Sequence, residues 1–252
     1  MGTTIEDVQY EEWFESEHEN EIKEQVIEDY LKSLTPPTES YAIFDYLPIN
    51  KRSANEQDYI TYLWDSFLVL SSTENESANK FSIFPFHMLF MVSLYYSTLK
   101  IAKNIPVEYS HALLLLQCRH VETLHNPTNP FNLGVIKERT FMNMFKLVDA
   151  PPALISIAKK LVDTRNDLAH VSGISESDFE SKIRTYLTVL EGLQKLFVPI
   201  NDVIAKKWQS EMEPGESGIE YIEIHLAEEY LCPADMQSGK LSRLEDRLNS
   251  KV

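Results

Sequence analysis

Glycine, cysteine and positive charge are all scarce in this chain, and each shortage closes off a class of protein. Seven glycines among 252 residues are too few for the many tight turns of a sandwich or barrel built from short strands. Two cysteines, Cys118 and Cys232, cannot make a disulfide framework. Together with an N-terminus that lacks a secretory pattern, they point to a reduced, cytoplasmic setting. Lysine and arginine number 23 against 39 aspartates and glutamates, a formal charge of −16. Indiscriminate nucleic-acid binding, which rests on neutralising phosphates, is therefore excluded. The chain also has no P-loop, dinucleotide fingerprint, HExxH, G-x-S-x-G or zinc-finger spacing.

A hydrophobic content of 43% and a charged content of 25% exclude wholesale disorder. A chain of this length buries roughly 70–75% of the surface it exposes when unfolded. Between Lys80 and Lys100 there is no Asp, Glu, Lys or Arg, and this stretch is almost long enough to cross a bilayer. Pro85, His87, Ser93, Tyr95, Tyr96, Ser97 and Thr98 make it too polar for a span, so a buried helix of a soluble bundle is expected, with no membrane partner.

Charge is segregated along the chain. Residues 1–80 carry a net −13, residues 81–208 a net +3 and residues 209–252 a net −6. These shifts define an acidic helical N-terminal region, a helical bundle and an acidic C-terminal extension. An acidic body with one mildly basic part suits either a selective RNA contact or simply a solvated acidic shell.

Apolar periodicity predicts an amphipathic helix over 5–34, ended by Pro36 and Pro37, and a second from about Ser53 through Leu70. The run SSTENESAN (71–79) reads as a loop. The bundle then begins with the Phe-rich helix, which has Pro85 in its first turn and ends near Asn104-Ile105-Pro106. Helices follow over about 107–124 and 134–147, separated by Asn126–Pro130. Pro151-Pro152 opens another helix, for which Gly173 is the expected stop. Ser177 and Glu180 form a capping box for a last helix over 178–208. In IEYIEIHL (219–226) a strand competes with a helix, and Ser242 and Glu245 point to a short capped helix. The expected fold is all-α, with a short mixed C-terminal tail.

The chemistry concentrates in Arg165-Asn166-Asp167-Leu168-Ala169-His170. An imidazole can move the proton of a 2′-hydroxyl or of a leaving oxygen, and a guanidinium can hold the phosphate on which charge accumulates. On a helix, Arg165 falls on the apolar stripe of Ala158, Leu161 and Leu168, so it needs a partner. Asn166 or Asp167 is placed to orient His170 from the polar stripe. Five residues at about 100° each set Arg165 and His170 about 140° apart, so one straight helix cannot aim both at a single phosphate. Either the helix bends near its end, or two copies combine their motifs across a two-fold axis. The competing reading is that Arg165 pairs with a carboxylate of the bundle while His170 merely ends a helix. Glu122 is one candidate for that carboxylate.

Two other constellations carry less. His111, Cys118 and His125 repeat at seven-residue steps with Glu122 between the last two. The steps rise about 10.5 Å each, too far for neighbouring ligands of one ion. Cys118, Glu122 and His125 are close enough in sequence to converge, but a buried polar seam is the favoured reading and no metal or cofactor is predicted. Arg119, His120, Lys137, Arg139, Lys159 and Lys160 read either as phosphate contacts or as a solvated face.

Residues 82–208 resemble the HEPN superfamily, all-α bundles marked by R-x4-6-H near a helix end. The matching residues are Arg165 and His170, with polar Asn166 after the arginine, preceded by NLGVIKERTFMNMFKLVDAPPALISIAKKLVDT. The resemblance covers about half the chain. It implies a homodimeric, metal-independent endoribonuclease with Arg165, His170 and Asn166 at its site, acting in defence or as a toxin restrained by an antitoxin or regulatory protein. Catalytically inactive relatives that bind or dimerise are also implied. Ser172 stands where toxins paired with nucleotidyltransferases carry a tyrosine, so control by tyrosine adenylylation is not expected.

Overall fold

The computed structural model describes residues 30–31, 34, 36–47, 54–73, 75–116, 122–169 and 179–211. Among the described residues the fold is all-α, with no strand. The α-helices run in the order α1 (Ala54–Ser71), α2 (Glu76–Phe81), α3 (Ile83–Asn104), α4 (Pro106–Leu115), α5 (Glu122–His125), α6 (Glu138–Phe141), α7 (Pro152–Ala169) and α8 (Phe179–Glu211). Short 3-10 segments cover Thr38–Tyr46, Pro130–Val135 and Met142–Val148. The expected 5–34 helix, apart from Tyr30, Leu31 and Leu34, lies outside the described residues, as do Gly173, Ser177, the 219–226 segment and the expected capped helix at Ser242 and Glu245.

The Phe-rich, charge-free stretch becomes α3, the axis of the molecule. It packs against α1, α8, α7, α4 and the Pro130–Val135 segment. A helix apolar on every side has to be enclosed on every side, and Phe86, Leu89, Phe90, Met91 and Leu94 are buried within it. It is the one described helix long and apolar enough to cross a membrane, and 89% of its most apolar window is covered by the protein itself. Two of its serines bond back to its own carbonyls, Ser93 Oγ to Leu89 at 3.1 Å and Ser97 Oγ to Ser93 at 2.9 Å, which satisfies these two hydroxyls without a partner helix. Pro85 sits in the first turn and Pro106 opens α4, positions where a missing N–H costs nothing.

Residues from the acidic N-terminal region join the same core. Ile43, Leu47, Ile60, Leu63 and Phe67 pack with the α3 and α8 side chains. The Phe67 ring lies 5.0 Å from Phe86 and 6.1 Å from Phe179, centroid to centroid.

Three stretches differ from the periodicity. The run expected as a loop over 71–79 contains most of α2, anchored where Asn79 Nδ2 donates to the Ser71 carbonyl at 3.0 Å. The expected 107–124 helix is α4, ending at Leu115, and α5, with residues 117–121 outside the described set. The expected 134–147 helix is divided into 3-10, α and 3-10 pieces. Asn129 explains the early start of the first piece, because its side chain accepts from the Phe131 N–H at 2.7 Å while Asn132 reaches back to the Asn129 N–H. The last piece ends at Asp149, whose backbone is left-handed (φ 54°, ψ 33°), and the Ala150 N–H closes it onto the Phe145 carbonyl at 3.0 Å. Aspartate tolerates that conformation better than most residues. Pro151 and Pro152 then start α7, as the sequence predicts.

Candidate functional site

Arg165 lies on the penultimate turn of α7, which remains helical to Ala169. Ala158 and Leu161 on its stripe are buried against the core, so the guanidinium is drawn inward beside them. Its partner is Glu138 at the start of α6, where Arg165 Nη2 donates to the Glu138 Oε2. The carboxylate that meets Arg165 is therefore Glu138, not Glu122, which is exposed on α5. The two side chains are 22% and 21% exposed, so each keeps one edge toward solvent.

Behind the ion pair lies a buried relay. His87 on α3 is fully buried, with Nε2 at 3.1 Å from the same Glu138 oxygen and Nδ1 at 2.8 Å from the Tyr186 hydroxyl on α8. Burial holds the His87 pKa below its ordinary value; Glu138 opposes this, and Arg165 adds to it. Burial would raise the Glu138 pKa, but the contacts with His87 and Arg165 outweigh it, so the carboxyl is held below its ordinary value. With His87 neutral, Arg165 is the cation that keeps Glu138 ionised. An ionised Glu138 can only accept, which assigns the proton of His87 to Nε2 and leaves Nδ1 to accept from the Tyr186 hydroxyl. Tyr95 is raised by burial and then by the Glu138 carboxylate, so it stays a neutral phenol at the edge of the cluster. Arg165 Nε is buried without a partner.

His170 lies outside the described residues, as do the 171–178 residues that follow. Asn166 is half-buried on α7, one residue beyond Arg165. The structure thus brings Arg165 together with Glu138, His87 and Tyr186. Two of the basic residues that read as either phosphate contacts or a solvated face have protein partners: Arg139 Nε lies 3.3 Å from Asp163, and Lys159 Nζ donates to Asn143 at 2.7 Å. Lys137 and Lys160 are exposed, and Arg119 and His120 fall outside the described set. His111, Glu122 and His125 are exposed, so the buried polar seam expected there is not formed by them, and Cys118 is not described. Among the described residues no three His, Cys, Asp or Glu side chains gather to hold a metal ion.

Glu138, His87 and Tyr186 were not singled out from sequence. One signal was present: His87 is the histidine in a stretch without formal charge, and a buried imidazole must be hydrogen-bonded. Its partners lie 51 and 99 residues away, and no local periodicity reaches that far.

Compared with protein-family models, curated proteins and solved structures, the chain matches none.

Proposed function

We propose that this protein is a HEPN-like endoribonuclease that cleaves RNA by transesterification without a metal, at a site where Arg165 and His170 from two copies of the chain combine. Arg165 binds the phosphate and stabilises its charge in the transition state. His170 transfers the proton, and Asn166 orients the site. The observation that carries this reading is the anchored guanidinium near the end of α7. It is fixed from behind by an ionised Glu138 yet still 22% exposed, five residues before the histidine. A guanidinium has five N–H donors in a rigid fork, so engaging Glu138 through Nη2 leaves others for a phosphate. Dimerisation answers the angular problem set by ideal helix geometry, in which five residues at about 100° each turn the two side chains about 140° apart. A role in defence, or as a toxin with a neutralising protein partner, follows from the resemblance.

The second reading is a non-catalytic binding or dimerisation module. It is favoured by the same ion pair, since Glu138 already compensates the charge of Arg165. The two separate in one assay. Purified full-length protein is incubated with total RNA in EDTA, beside Arg165→Ala and His170→Ala. Cleavage by the parent that both substitutions abolish supports the nuclease. No cleavage by the parent, with a dimer lost in both variants, supports the module.

A further inference from the structure

Resting on the nuclease reading, we propose that Glu138, backed by His87 and Tyr186, is the positioning residue of the site: it fixes the Arg165 guanidinium so that its free edge meets the phosphate in one orientation.

Four elements contribute one group each. Tyr186 comes from α8, His87 from α3, Glu138 from α6 and Arg165 from α7. Tyr186 and His87 are 1% and 0% exposed, so the inner half of the chain is held by packing. The Tyr186 ring lies edge-on to Phe86, Phe90 and His87 at 5.7, 5.0 and 5.6 Å between centroids. The outer half reaches solvent at Glu138 and Arg165. A buried bundle of this kind needs no ion pair for stability, because well-packed apolar residues of similar volume serve as well or better. The arrangement has a geometric product instead. A flexible arginine acquires a single direction, and the entropy of fixing it is lost on folding rather than at the moment of reaction. The same Glu138 oxygen takes both His87 and Arg165, so a shift of the imidazole is passed directly to the guanidinium.

The electrostatic and positional roles of Glu138 predict opposite signs. As a mere counter-ion, Glu138 competes with phosphate for Arg165, and its removal strengthens both binding and cleavage. As a positioning residue, its removal leaves RNA affinity equal or higher while cleavage slows. Damage to the fold weakens both.

The test uses the full chain carrying Glu138→Gln, with Tyr186→Phe as a milder variant that removes one buried hydroxyl and keeps the ring. Two quantities are measured: the rate constant for cleaving a short RNA, and the affinity for the same oligonucleotide with a 2′-deoxy group at the scissile position. The expected result for Glu138→Gln is a rate lower by about tenfold or more, as for loss of a preorganised electrostatic contact, with affinity unchanged or tighter. Tyr186→Phe shows the same divergence at smaller size. Rate and affinity that fall together, rise together or both stay at the parent value overturn the proposal and leave the nuclease standing. A parent protein that cleaves no RNA removes both.

Discussion

At the level of single residues, the Arg165–Glu138–His87 cluster links stability to pH with a definite sign. His87 has an ordinary pKa of 6.5 that burial lowers in the folded chain. The unfolded chain therefore binds a proton on His87 that the folded chain refuses. The stability it contributes is complete above pH 6.5 and is lost as pH falls toward the folded value. Glu138, lowered from 4.5 by His87 and Arg165 against the opposing effect of burial, repeats this at more acid pH. Urea midpoints measured from pH 8 to pH 5 should fall below about 6.5 in the parent protein, near the usual histidine value. In His87→Gln, which keeps polar atoms but does not titrate, the slope in that window should flatten. An unchanged slope would show that His87 is not held neutral. The arginine's need for a partner was legible in the sequence, because its place on the stripe of Ala158 and Leu161 turns it inward. The identity of that partner was not, because Glu138 meets it through the fold, 27 residues away.

Whole elements were legible where their pattern was long. The periodicity from Ser53 to Leu70 became α1, the Phe-rich run became α3, Pro151-Pro152 opened α7, and the 178–208 pattern became most of α8, which continues to Glu211. Short elements were not, because their conformation is set by single side-chain contacts such as Asn129 with Phe131 and Asn79 with Ser71. The close approach of α7 and α8 was also hidden. Gly192 faces Leu154, and a Cβ added there would come within 3.0 Å of a Leu154 methyl carbon. Gly192→Val places two further methyl groups in that contact and should destabilise the fold by about 1–3 kcal/mol, the usual cost of overpacking. Leu154→Ala opens the space, so the double variant should be more stable than the two separate losses predict. A double-mutant cycle from urea unfolding measures this, and strict additivity would place the two helices farther apart than described.

At the scale of the molecule, the acidic N-terminal region is acidic by composition, yet part of it belongs to the core. Leu63 and Phe67 of α1 cover α3 together with Ile43 and Leu47. A chain lacking residues 1–80 should lose cooperative unfolding and aggregate through the uncovered α3, whereas one lacking residues 1–29 should keep a single sharp transition; calorimetry distinguishes them. The surplus of acidic side chains in residues 1–29 competes with phosphate for basic groups if it reaches them, and the shorter deletion tests whether this acidic arm restrains RNA binding. It removes 11 acidic side chains and one lysine, and if the arm competes with phosphate, RNA affinity should rise most at low salt. The claim on which the functional account rests is that a guanidinium and an imidazole alone break the phosphodiester by attack of the neighbouring 2′-hydroxyl. The most direct measurement is of the ends left on RNA by the purified full-length protein in EDTA. The account predicts 2′,3′-cyclic phosphate and 5′-hydroxyl termini, and no cut at a linkage whose 2′-hydroxyl is replaced by hydrogen. Termini bearing a 5′-phosphate, cutting at the 2′-deoxy linkage, or intact RNA after full incubation would contradict it.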